Sequence, residues 1–204
     1  MGQRMTIEAV VHEVAKDQQL YDRTDGGVTL SGGEISTQPV FVSHLLRAFK
    51  EHWIDTAIET NGFGSSSFYR GIAANLDFVF MDIKTISDVK HRSWTGASNA
   101  QVISSAILLS YLSMENGFDF VIRTPIIPGF NDSLEDVGEI AHFVSTNLPG
   151  VSGMELLPYH KLGRGKYESI GLHYTLEGLE PPGIEKMYEL EQVVTQSGLE
   201  VIHY

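Results

Sequence analysis

The chain has 204 residues, a formal net charge of −12 and no cysteine, long enough for one domain with a substantial core. The acidic balance excludes a sequence-independent nucleic-acid binder, which needs clustered Lys and Arg against phosphate. The lack of thiols excludes disulfides, thiolate zinc sites, a cysteine nucleophile and any cysteine-ligated iron–sulfur cluster held by these residues.

No apolar run approaches membrane-spanning length, and the first residues lack the basic-then-apolar pattern of a signal peptide. A cytoplasmic location is expected. Met5–Tyr21 reads as an amphipathic helix, with Thr6 as N-cap and Ile7, Val10, Val11, Val14 and Ala15 on one face. Asp25-Gly26-Gly27 ends it, and Val28–Leu30 is the first strand. A helix over Pro39–His52 carries Val42, Leu45, Leu46 and Phe49, and Trp53–Glu59 is the second strand, closed by Thr60-Asn61-Gly62. A short helix near Ser66–Asn75 leads to the third strand, Phe78–Ile83. Helical pieces over Ser87–Trp94 and Asn99–Asn116 precede the fourth strand, Asp119–Arg123. Ser133 caps a helix running through Leu148, and the fifth strand, Gly153–Leu157, ends in Pro158-Tyr159-His160. Lys161–Pro182 is polar, Gly-rich and aperiodic, a long loop of a length that is usually functional or mobile. Gly183–Ser197 is the last helix and Leu199–His203 the last strand. No linker divides the chain, so residues 1–204 read as a single domain.

Strands alternating with helices at this spacing predict βαβ units and a parallel sheet. Polar residues gather where strands end: Ser31-Gly32-Gly33-Glu34, Glu59-Thr60-Asn61, Asp82 and Lys84, Arg123, His160. Ligands bind at that edge of α/β sheets and barrels. Six strands are too few for a full eight-stranded barrel, and the choice between a curled and an open sheet stays open.

Each residue carries two readings. The glycines after Ser31 either make a tight βα turn or bring bare backbone close to a ligand, with Glu34 receiving an amino group or hydroxyl. Glu59 and Asp82 either cap turns or hold a cation, an ammonium or a ribose hydroxyl. Lys84 is either a solvated lysine or a carboxylate-binding or Schiff-base lysine. Arg123 either grips a carboxylate with its planar fork or bridges to a neighbouring strand. His160 either bonds an adenine or ribose or is an ordinary loop histidine, and no other histidine shows metal-ligand spacing.

The series SGGE (31–34), ETNG (59–62), FMDIK (80–84), TGASN (95–99), RTPIIPGFND (123–132) and ELLPYHKLGRGKYESIG (155–171) closely resembles the glycyl-radical-enzyme activating enzymes. These are radical S-adenosylmethionine proteins, of which pyruvate formate-lyase activating enzyme is the best known. The six motifs run in order over essentially the whole chain. The resemblance implies a partial (β/α)6 TIM-like barrel, S-adenosylmethionine as cofactor and a [4Fe-4S] cluster on a three-cysteine loop. It implies a 5′-deoxyadenosyl radical that takes a hydrogen atom from a backbone glycine of a partner glycyl radical enzyme. It also implies an electron donor such as flavodoxin or ferredoxin for the full-length form. Carried over by position, Ser31, Gly32, Gly33 and Glu34 resemble the motif holding the methionine amino group. Glu59, Thr60, Phe80 and Asp82 resemble a monovalent-cation site, while Lys84, Arg123 and His160 resemble further polar positions of the ligand pocket.

Two departures from the family pattern stand out. Ile35 follows SGGE where the family commonly has Pro, and the cluster cysteines are absent. The first helix resembles the one preceding the family's second barrel strand. The expectation is therefore a truncated domain, with the first strand and cluster loop missing, that keeps the ligand cradle and is inactive alone. Without that first strand, Val28–Leu30 is an unpaired edge, from which self-association or poor solubility is expected. Two other functions stay open: a non-catalytic docking module using Lys161–Pro182, and a barrel lyase with Lys84 as Schiff-base nucleophile.

Overall fold

The computed structural model describes residues 3–161, 165, 167, 171, 173, 174, 176 and 178–203. Five strands form one sheet: β1 (Gly27–Leu30), β2 (Asp55–Thr60), β3 (Phe78–Asp82), β4 (Asp119–Ile126) and β5 (Gly153–Pro158). Every pair is parallel and the spatial order is the chain order, β1 to β5. An order that never reverses is that of a barrel wall; a doubly wound sheet reverses at a switch point.

The helices are α1 (Ile7–Val14), α2 (Gln18–Thr24), α3 (Pro39–Glu51), α4 (Ser66–Ile72), α5 (Asp88–Thr95), α6 (Ala100–Asn116), α7 (Leu134–Asn147) and α8 (Ile184–Gln196). Capping sets several starts: Thr6, Ser65, Ser87 and Ser133 each accept a hydrogen bond from a first-turn N–H. Gly96 and Gly117, both at positive φ, close α5 and α6.

Side chains alternate across the strands. One set, including Ile58, Met81, Phe120, Ile122, Met154 and Leu156, packs with Leu46, Tyr69, Leu109, Ile140 and Leu190 of the helices in the main core. Each fully buried aliphatic there contributes about 1.5–3 kcal/mol. A smaller cluster of Val11, Leu45, Phe49 and Ile54 fastens α1 to α3 beside β1. The other set faces the concave side and contains Glu59, Phe80, Asp82, Arg123 and Glu155 in adjoining register: Glu59 opposite Phe80, Asp82 opposite Arg123, Arg123 opposite Glu155.

Four expectations need correction. The single helix over Met5–Tyr21 is two helices joined by a 3-10 turn at Ala15–Asp17. Asp17 has left helical geometry there (φ −97, ψ 10), and aspartate competes poorly as a helix-interior residue. The fourth strand does not stop at Arg123 but runs to Ile126 through Pro125. A proline fits there because β3 ends at Asp82, which leaves that flank of β4 without a strand partner. The last strand, Leu199–His203, is a single parallel bridge between Met154 and Val201. Met154 gives its N–H to Glu200 and takes that of Ile202. The stretch expected as a loop, Lys161–Pro182, lies partly outside the described residues, and Gly165 and Tyr167 within it are helical.

Candidate functional site

The carboxyl ends of the strands surround a cavity of about 310 Å³ lined by Ser31, Gly32, Gly33, Glu59, Thr60, Asn61, Phe80, Asp82, Arg123, Leu157 and His160. Gly32 has φ +136, which a side chain would strain, and a Cβ added at Gly32 or Gly33 would meet nothing within 4 Å. The β1 exit therefore presents bare backbone to open space.

Arg123 holds the floor together. Its Nε donates to Glu155 Oε2 at 2.6 Å and one Nη to Glu59 Oε1 at 2.7 Å. Its guanidinium carbon lies 3.8 Å from the centroid of the Phe80 ring, a cation–π contact. Glu59 also accepts from the Ser31 hydroxyl, which carries the network from β4 to the glycine turn. Arg123 and Glu155 are largely buried, with side chains 15% and 8% exposed, while Glu59 is 42% exposed on the cavity wall. Of the two readings of Arg123 the structure shows the bridge between strands, on a side chain that also lines the cavity.

Glu34 is placed differently. Its carboxylate accepts from the N–H groups of Ser36 (3.0 Å) and Asn61 (2.8 Å) and from the Thr60 hydroxyl (3.0 Å), fastening the glycine turn to the end of β2. It lines the apolar cavity behind β1 rather than the polar one. Thr60 shares its hydroxyl with Tyr69, a buried phenol whose pKa burial pushes up. Lys84 donates to Asp82 at 2.7 Å and lines an adjoining cavity of about 290 Å³ that shares Asn61 and Asp82 with the first. Asn131, fully buried, bonds the carbonyls of Lys84 and Pro125 and the N–H of Ile127, so it fixes the exits of β3 and β4.

The structure therefore brings Ser31, Gly32, Gly33, Glu59, Thr60, Phe80, Asp82, Arg123 and His160 to one cup. Glu34 and Lys84 stand immediately behind its walls. Glu155 was not singled out by the sequence; the signal lay in strand alternation, since it shares a face with Leu157. Among the described residues, no three His, Asp or Glu side chains are grouped so as to hold a metal ion. The two carboxylates on the cavity, Glu59 and Asp82, are each paired with a cationic side chain.

Residues 2–144 match the Radical SAM superfamily model. The pyruvate formate-lyase-activating enzyme of Clostridium pasteurianum is 35% identical over 196 residues, covering 96% of this chain and 79% of that protein. The chain belongs to the glycyl-radical-enzyme activating enzymes of the radical SAM superfamily. The choline trimethylamine-lyase activating enzyme of Oleidesulfovibrio alaskensis is 36% identical over 180 residues, 87% of this chain and 57% of that protein. The chain thus spans little more than half the length of some of its relatives. Among solved structures, a domain of pyruvate-formate lyase-activating enzyme from Bacteroides vulgatus superposes with a TM-score of 0.70 at 22% identity, over 87% of this chain and 98% of that one. The sheet is the partial TIM barrel of radical SAM enzymes.

Full-length radical SAM members carry S-adenosylmethionine and a [4Fe-4S] cluster. The cluster needs thiolates, and none of the 204 residues is a cysteine, so this radical SAM chain offers the cluster no ligand set. The cup does fit an amino-acid nucleoside, with bare glycine backbone, carboxylates, a guanidinium and an imidazole around one opening.

Proposed function

We propose that this chain is the ligand-cradling part of an activase that sets a glycyl radical on a partner enzyme, and that its cup binds S-adenosylmethionine. The observation that carries this is the convergence of five strand exits on one polar cavity in a chain of this family. In this reading the backbone of Gly32 and Gly33 receives the methionine end, and Glu34 acts by holding that turn against Asn61 rather than by direct contact. Glu59, Thr60, Phe80 and Asp82 surround the place for a monovalent cation, Arg123 and His160 complete the polar wall, and Lys84 stands behind it on Asp82.

When bound beside a reduced cluster, the cofactor supplies a carbon radical that abstracts hydrogen. This chain's own residues bind and orient it; with no thiolate they do not supply the electron. Direct chelation by a cluster adds two charge-assisted contacts, so without them affinity falls by roughly two to four orders of magnitude at about 1.5–3 kcal/mol each. The partner is a glycyl radical enzyme, and flavodoxin or ferredoxin serves as donor in the full-length form. Lys84, engaged with Asp82, is an ion-pair member in this arrangement rather than a free amine, which favours the cradle over the Schiff-base reading.

Calorimetry tests this. S-adenosylmethionine is expected to bind weakly, more tightly in potassium or sodium than in a bulky organic-cation buffer, and to lose affinity in Asp82→Ala. After incubation with iron, sulfide and a reductant, no cluster absorbance and no 5′-deoxyadenosine should appear. Cleavage of the cofactor by this chain would refute the division of labour.

A further inference from the structure

The Arg123 network has an asymmetry. Glu155 is 8% exposed and holds the Nε edge, whereas Glu59 is 42% exposed and holds one Nη at the cavity. Phe80 covers one face of the guanidinium. Two of the three contacts are buried and one is open to the cup.

We propose that Glu155 is a positioning residue, which keeps the Arg123 guanidinium aimed into the cup, and that Glu59 is its exchangeable partner, released when a ligand carboxylate arrives. This rests on the cup being the S-adenosylmethionine site. Charge is conserved in the exchange: the ligand carboxylate replaces Glu59 on the open Nη, and Glu59 becomes available to a cation or ammonium. Glu59 keeps its hydrogen bond from Ser31, so its carboxylate has a second anchor after release. Arg123 does not follow it, because Glu155 and Phe80 still hold the remaining edge and one face. The orientation of the fork is thus fixed before the ligand arrives, and the ligand has only the Glu59 contact to displace. A buried guanidinium held by Glu59 alone would swing when Glu59 left.

The experiment has two arms, run on the unaltered chain and on Glu155→Leu, Glu155→Gln and Glu59→Gln. Nitrogen-15 NMR reads the Arg123 Nε–H without ligand. Calorimetry reads S-adenosylmethionine against its decarboxylated analogue. Solvent protection of the Nε–H is expected in the unaltered chain and in Glu59→Gln, with loss in Glu155→Leu and partial recovery in Glu155→Gln, which keeps an acceptor. Glu155→Leu should weaken S-adenosylmethionine by about tenfold or more, the size of one charge-assisted contact, with the analogue changed by less than about twofold. Equal losses for both ligands, or an Nε–H as protected in Glu155→Leu as in the unaltered chain, would overturn the assignment. If Glu155→Leu does not fold, Glu155→Gln carries the same comparison at smaller amplitude. If neither ligand binds the unaltered chain, the cofactor reading fails by itself, and the NMR arm still decides the role of Glu155.

Discussion

At the scale of single residues, the site is built from side chains whose partners lie far off in sequence. Arg123 meets Glu155 across 32 positions and Glu59 across 64. Its place on the fourth strand was legible, though not that the strand runs three residues past it; its partners were not, because no local pattern encodes a contact between β2 and β4. Glu34 shows the opposite case. The SGGE motif marked it, yet its carboxylate is taken up by Ser36, Thr60 and Asn61. Asn131 is the buried hinge pin of the cup, and sequence alone gave it no more than a place in a turn. Asn131→Ala leaves two carbonyls and one N–H without their buried partner and should cost about 2–4 kcal/mol, measurable by urea denaturation. A loss under half a kilocalorie would mean that water replaces the amide freely.

At the scale of elements, acid should loosen the helices packed on one side of the sheet. Ser98 and Arg92, with the N–H of Asn99, bring the Asp88 carboxyl down to about 2 and tie the start of α5 to the turn before α6. Burial pushes the Asp136 carboxyl up, but hydrogen bonds from Lys90 and Ser133 outweigh it and leave it lowered, tying α7 to α5. Both folded values lie below the unfolded one, so this stabilisation is present above about pH 4 and is lost as pH falls, the Asp88 part toward about 2. Asp88→Asn should flatten the stability profile over that window in acid denaturation, while an unchanged profile would remove Asp88 from the account. The elements themselves were largely readable, because strong helix periodicity and short apolar strands leave little ambiguity. What escaped were features set by neighbours: a proline tolerated in β4 because β3 stops early, and a last strand reduced to one bridge.

At the scale of the whole molecule, β1 stands at the margin of the sheet with one strand partner among the described residues, β2. An apolar cavity of about 380 Å³ opens behind it, lined by Val10, Val28, Leu30 and Phe41 among others. Unpaired edges of this kind template association. Sedimentation velocity should therefore show mass increasing with concentration, and a single monomeric boundary at high concentration would contradict it. The same architecture concentrates the polar residues at one mouth, which is why so much of the cup was foreseeable: barrel strands place their functional residues at their carboxyl ends. What alternation alone could not supply was the direction in which each side chain leans, so Lys84 was expected in the cup and stands beside it.

The central claim is that this mouth cradles S-adenosylmethionine, and amide chemical-shift mapping tests it most directly. On titration with the cofactor, the Gly32, Gly33 and Asn61 amides and the His160 ring should shift together and saturate with one dissociation constant, and Asp82→Ala should weaken that constant. Shifts confined to another face of the molecule, or none in the cup at saturating cofactor, would contradict the account.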